Sequence, residues 1–225
     1  MKILKPYYIL ISVFFVFITS SNCHSNEIEN KFIKTGLIDV HIIDKSIKVD
    51  LVNSDTDKNF FRENFYNGLD KAYLREEVAK KLSLAQKYLK SENPGYSILI
   101  MDASRPRSVS QFMYDKMKGT KFEKYVADPK KGSMHNYGIA VDVTIVDGND
   151  KEIDMGFSPF YKSNLSIYWG FAKLKMFDLN DTQKKNRKLL STVMQKAGFI
   201  PLSYEWWHFD GMQKEEARRN YKIIE

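Results

Sequence analysis

Apolar residues along this chain fall into three kinds of pattern. In LREEVAKKLSLAQKYLKSE, Leu74, Val78, Leu82, Ala85 and Leu89 recur at helical spacing with charges between them. That spacing predicts an amphipathic helix, closed by Asn93-Pro94-Gly95. DLNDTQKKNRKLLSTVMQKAGF predicts a second helix, with Asp181 as N-cap and Gly198 as its stop. SRPRSVSQFMYDKM predicts a loop running into a third. The apolar runs YSILIMDA and IAVDVTIVDGND predict strands, the latter ending in an Asp-Gly turn. LIDVHII and SIKVDLV alternate apolar and polar residues around Asp44-Lys45, which predicts a β-hairpin. YEWWHFDG predicts a short aromatic strand, and NSDTDKNFFRENFYNG an irregular, aromatic-rich loop packed on the core. Strands and helices interleave irregularly, and the hairpin implies antiparallel pairing. The expected class is α+β, with helices packed on a mostly antiparallel sheet.

The 225 residues suffice for one domain with a substantial core, and a hydrophobic content of 43% excludes general disorder. Net charge is +7, but Lys and Arg are dispersed among Asp and Glu, as in AYLREEVAKKL. A solvated basic surface is therefore expected and no nucleic-acid partner, because a nucleic-acid face needs clustered positive charge. The N-terminus changes the picture more. MKILKPYYILISVFFVFITSSNC places Lys2 and Lys5 before an apolar run from Tyr7 to Ile18, then small polar residues. This is the layout of a secretory signal over residues 1–23. The run is about 12 residues, short of the about 20 that span a bilayer, so cleavage is expected over a retained anchor. Cys23 is the only cysteine, so no intramolecular disulfide forms. It stands where a bacterial lipoprotein would be cleaved and acylated, though Asn22 replaces the usual Gly, Ala or Ser. The expectation is export to the periplasm or cell envelope, with membrane attachment through a lipid on Cys23, or plain secretion. A polar linker over 24–36 and one domain over 37–225 follow.

Four histidines are available: His24, His41, His135 and His208. His24 adjoins the leader, and His41 lies in an alternating segment where an exposed position is expected. The other two sit in polar settings beside apolar strands. In SMHNYGIAVDV, Asp142 falls on one strand face with Ala140, while Ile139, Val141 and Val143 fall on the other. A carboxylate buried beside a core needs a partner, and a metal ion is one. Gly138 permits a tight turn that brings His135 toward Asp142. On this stretch alone, a metal site and a Ser133-His135-Asp142 hydrogen-bond network that closes a loop are equal alternatives. YEWWHFD adds His208, with Glu205 three residues before it. A hydrolytic zinc site needs three protein ligands, an open position and a base, and His135, Asp142, His208 and Glu205 provide that set. Strict strand alternation would put Glu205 and His208 on opposite faces, so this strand must twist, bulge or end between them. HEXXH and G-x-S-x-G are absent, and Ser133 is a minor candidate as a nucleophile with His135. In MDASRPRSVS, Arg105 occupies a rigid strand exit before Pro106, where it can donate to an oxyanion or carboxylate. A plain salt bridge to Asp102 or Asp115 is the competing use.

Taken together, S-x-H-x-x-G-x-A-x-D followed by E-x-W-H resembles the zinc D,D-peptidases that cleave D-alanyl-D-alanine. The SRP arginine and the doubled Trp of EWWH are similar to the D-alanyl-D-alanine dipeptidase branch, and the likeness extends through YLREEVAKKLSLAQKYL, LIMDASRPRSVSQF, MGFSPF and NRKLLSTVMQKAGF. The resemblance implies a compact α+β fold with one zinc ion per chain at the floor of a cleft. It implies His135, Asp142 and His208 as ligands, Glu205 as catalytic base, Arg105 as the group that stabilises the transition state, and Ser133 as a substrate contact. The implied reaction is hydrolysis of D-Ala-D-Ala to two D-alanines. The alternatives are a D,D-carboxypeptidase trimming peptidoglycan peptides and a non-catalytic cell-wall binding lipoprotein. Residues 53–73 and 147–166 are the loops expected to separate the first two. An export signal departs from the cytoplasmic dipeptidases of this kind, and implies a substrate released by wall turnover or wall peptides themselves.

Overall fold

In a computed structural model, residues 27–120, 123, 126–156, 179–203 and 205–225 are described. The apolar leader, Cys23 and His24 lie outside them, as do residues 157–166 of one candidate loop. The long apolar runs form β4 (Ser97–Asp102) and β5 (Ala140–Val146), and the aromatic segment forms β7 (Glu205–Asp210). With β2 (Lys48–Val49) and β6 (Ile200–Leu202) they make one sheet in the order β2-β4-β5-β7-β6. β2 runs parallel to β4, and the other neighbours are antiparallel.

The helix expected after SRP forms α3 (Arg107–Met117), and two other helices cover one face of the sheet. Helix α2 (Glu76–Glu92) packs on β4, α4 (Asp181–Lys196) packs on β6 and β7, and the two helices pack on each other. Val78, Leu82 and Leu89 of α2 join Leu190 and Val193 of α4 and Ile98, Ile100, Val143 and Ile145 of the sheet in the core. All are fully buried, which contributes about 1.5–3 kcal/mol for each large aliphatic side chain. The alternate residues of β5, Ala140 and Asp142, face the other way. The N-cap of α4 is Asn180, one residue before the expected Asp181. Asn180 and Gln183 form a reciprocal capping box, each side chain accepting from the other's backbone N–H.

The expected hairpin does not form. β1 (Ile38–Asp39) pairs with β3 (Tyr73–Leu74), and the second half of the pattern supplies β2. Two short side chains divert the chain between them. Asp39 accepts from the His41 N–H at 3.0 Å and caps a 3-10 turn over Val40–Ile42, and Asp44 accepts from the Ser46 N–H at 2.9 Å. Such side-chain bonds compete with a ladder for the backbone. His41 is half-buried rather than exposed, and its Nε2 donates to the Ile47 carbonyl at 2.9 Å. Part of the expected linker is a helix, α1 (Glu27–Lys34), whose Phe32 is buried against Tyr73. The segment after β2 forms turns with buried Tyr66 and Asn59, as expected of an irregular loop packed on the core.

Candidate metal centre and active site

Asp102, Asp142 and His208 stand side by side across β4, β5 and β7, because Asp142 is the ladder partner of both others. This row depends on an irregularity in β4. Ile100 pairs with Val143, yet Asp102 pairs with Asp142, so β4 carries one extra residue between them. Without it, Asp102 would follow Ile100 into the helix-covered core. With it, the carboxylate turns to the face away from the two helices, as bulges beside active sites often re-aim side chains.

His135 reaches the row from a 3-10 turn, Met134–Tyr137, that immediately precedes β5. Ser133 caps the turn, its Oγ accepting from the His135 N–H at 3.3 Å. Gly138 ends it with φ +75°, and a Cβ there would lie 2.4 Å from Leu37 Cδ2 and 3.2 Å from Ser104 Oγ. Gly138→Ala combines a left-handed backbone with that overlap, and is expected to destabilise the fold by about 1–3 kcal/mol, read from urea unfolding midpoints. Asn136, fully buried, ties the turn to the strand exit. Its Nδ2 donates to the Arg105 carbonyl at 2.8 Å, and the Arg105 N–H donates to the His135 carbonyl at 3.0 Å.

Three donors converge. His135, Asp142 and His208 are 3%, 5% and 8% exposed, and their ligand atoms lie within 4.8 Å of one another. The His135 Nε2 is 3.2 Å from His208 Nδ1 and 3.4 Å from Asp142 Oδ1, and His208 Nδ1 is 3.0 Å from Asp142 Oδ1. Each ring is held from behind. His135 Nδ1 lies 2.6 Å from the Ala103 carbonyl, and His208 Nε2 lies 2.9 Å from Asp210 Oδ1. A carbonyl and a carboxylate only accept, so those nitrogens carry protons, and in its neutral form each ring turns a lone pair toward the other ring and Asp142. Two lone pairs and a carboxylate at this range demand a positive charge. Burial would lower the His208 pKa, but Asp142 and Asp210 outweigh it and push it up to about 10. Burial would raise Asp142, but the two imidazoles hold it well below the usual carboxylate range. A divalent cation answers the same demand and satisfies all three donors at once, so the donor set fits zinc.

Glu205 joins the group through a second irregularity. Leu202 of β6 pairs with Glu205, but the next residue, Pro201, pairs with Phe209, so β7 bulges between them. Pro201 has no N–H to offer the ladder there. The bulge brings Glu205 Oε2 to 3.9 Å from His208 Nδ1, on one side of a strand that regular alternation would have split. Burial raises the Glu205 pKa above its ordinary value, and the Asp142 charge adds to the rise.

Arg105 makes the salt bridge with Asp102, not with Asp115, donating from Nε at 3.2 Å and from Nη2. The pairing does not remove it from the site, since its backbone is bonded to the His135 turn on both sides. Ser133 does not reach the imidazole. The His135 ring nitrogens face Ala103, His208 and Asp142, which leaves neither the serine nucleophile nor the Ser-His-Asp network supported. Sequence reasoning missed Asn136 and Asp210, and weighed Asp102 only as a rival for Arg105. The alternation of His208 and Asp210 was a readable signal for the second.

Several known proteins resemble this chain in sequence. A D-alanyl-D-alanine dipeptidase from Synechocystis sp. is 29% identical over 183 residues, covering 64% of this chain and 71% of that protein. The Escherichia coli D-alanyl-D-alanine dipeptidase is 29% identical over 135 residues, covering 59% of this chain and 61% of its own. Among solved structures, the LdcB LD-carboxypeptidase is 21% identical over 65% of this chain and 63% of its own, at a TM-score of 0.37. VanYB in complex with D-Alanine-D-Alanine is 17% identical over 68% of this chain and 77% of its own, at a TM-score of 0.34. Likenesses that distant carry no argument about this chain. The profile of the Peptidase_M15 family, described as D-ala-D-ala dipeptidase, matches residues 34–224. With a buried His-Asp-His group at its centre and a family profile matched over most of its length, the chain belongs to the Peptidase_M15 zinc metallopeptidases, the D-ala-D-ala dipeptidase family.

Proposed function

We propose that this protein is an exported dipeptidase that hydrolyses D-Ala-D-Ala to two D-alanines. The observation that carries the reading is the convergence of His135, Asp142 and His208 with Glu205 3.9 Å from His208. His135, Asp142 and His208 would hold a single zinc ion. Zinc in such a site supplies Lewis acidity toward the peptide carbonyl and lowers the pKa of water. Glu205 takes the proton as the water oxygen attacks the carbonyl carbon, and returns it to the amine as the C–N bond breaks. Its burial suits the base step, since a carboxylate whose pKa is raised takes up a proton more readily, and the carboxylic acid so formed is still acidic enough to protonate the departing amine. Arg105 donates to the oxygen on which negative charge develops. Ser133, at the rim of the His135 turn, contacts substrate. The leader pattern in residues 1–23 supports export, with Cys23 as the site of a lipid anchor.

The test offers the zinc-loaded protein D-Ala-D-Ala and a wall pentapeptide ending in D-Ala-D-Ala, side by side, with released D-alanine measured. Hydrolysis of the dipeptide is the expected result. Cleavage of the pentapeptide alone would make it a D,D-carboxypeptidase. Stoichiometric zinc with no cleavage of either would point to a binding role.

A further inference from the structure

We infer that Asn53 and Tyr66, on the loop between β2 and β3, are positioning residues: through Asp102 they orient the Arg105 guanidinium for the reaction proposed above, on which the inference rests. The Asp102 side chain is completely buried and lies in the ladder opposite Asp142. Two carboxylates facing each other on neighbouring strands repel, so each needs its own compensation. Asp142 has the imidazoles and the metal site. Asp102 has Arg105, but also two neutral donors from far along the chain.

The allocation of those donors is specific. Arg105 Nε and Nη2 both bond Asp102 Oδ2, and Asn53 Nδ2 bonds the same oxygen at 3.0 Å. Tyr66 Oη donates to the other oxygen, Oδ1, at 2.8 Å, and the same hydroxyl also interacts with Arg105 itself. The terminal torsion of an aspartate is soft, so a bond on Oδ1 is what fixes the direction of Oδ2. Both Arg105 bonds use the Nε/Nη2 edge of the guanidinium, which turns Nη1 away from Asp102. The orientation of the guanidinium follows the carboxylate, and the carboxylate follows Tyr66 and Asn53. Burial and the Asp102 charge hold the Tyr66 hydroxyl well above its ordinary pKa, so it stays a donor. The segment carrying both residues is the aromatic loop, anchored where the Phe65 N–H donates to the Asn53 carbonyl at 2.9 Å. A loop that sequence alone suggests for substrate selection is thereby coupled to the transition-state arginine by two side-chain bonds.

A double-mutant cycle with one spectroscopic readout tests this. Tyr66→Phe keeps the buried ring and removes only the hydroxyl. In the zinc-loaded protein it should lower kcat by roughly 10-fold with KM and zinc content unchanged. In an Arg105→Ala background the same change should cost less than about 2-fold, because the arginine it acts through is gone. Arg105→Gln, which can still donate to Asp102, replaces the alanine variant if that one does not fold. Asn53→Ser should repeat the pattern from the other side of the carboxylate. In 15N-labelled protein, the Arg105 Nε–H resonance should shift and exchange faster in Tyr66→Phe and in Asn53→Ser. Full kcat in both variants, an equal loss with and without Arg105, or an unmoved Nε–H resonance would overturn the inference. If the parent protein cleaves no D,D-peptide while the resonance moves as expected, the proposed reaction fails and the positioning of Arg105 stands.

Discussion

Glu205→Gln is expected to lower kcat for D-Ala-D-Ala by about 10²–10⁴-fold while zinc stoichiometry stays at one per chain. Glutamine has nearly the shape of glutamate, so the bulge of β7 and the His208 ring should keep their places. It cannot accept and then return a proton, and that is the one property the proposed reaction requires of this residue. The structure limits substitutes. Asp142 is held ionised by the facing imidazoles, well below the usual range, and makes a poor base. Asp210 is committed to His208 Nε2 at 2.9 Å and lies behind the ring, away from the metal donors. Steady-state rates at neutral pH, paired with metal analysis of the same samples, read the result. Activity close to that of the parent would remove Glu205 from the mechanism and leave the His-Asp-His group as a metal site without its base.

Arg105→Ala has two expected consequences with different causes. Turnover should fall by about 10²–10³-fold, the cost of removing one oxyanion donor. Stability should fall as well, because Asp102 would remain fully buried with only Asn53 and Tyr66 bonded to it. Leaving one partner of a buried ion pair uncompensated costs about 3–5 kcal/mol. Zinc should still bind, since Arg105 contributes none of the three converging donors. The two effects separate experimentally. Arg105→Ala combined with Asp102→Asn removes the orphaned charge, and should recover much of the stability without recovering turnover. Recovery of turnover in that double variant would mean that Arg105 matters only as a counter-charge for Asp102.

The local sequence was sufficient wherever a structural signal lies within one turn or one strand. The spacing of Val78, Leu82, Ala85 and Leu89 gave α2, the continuous runs gave β4 and β5, and Gly138 announced the tight turn between His135 and Asp142. The motif residues were legible for the same reason, since two short stretches hold the three converging donors and the proposed base. What failed also failed locally. Asp39 and Asp44 spend their side chains on nearby backbone N–H groups, and an alternating pattern that looked like a hairpin became a capped turn between two separately paired strands.

Only the tertiary structure decided which way the site residues point. A single extra residue in β4 puts Asp102 on the face away from the helices instead of under them, and a bulge in β7 sets Glu205 beside His208. Both are register events, and register is settled by partners far along the chain. Asp102 is aligned by Asp142, and Glu205 by Leu202 across a ladder that Pro201 interrupts. The residue types needed for hydrolysis can be read from a string of letters. The side of a sheet on which each one stands cannot, because one slipped residue reverses it and the slip is set by long-range packing.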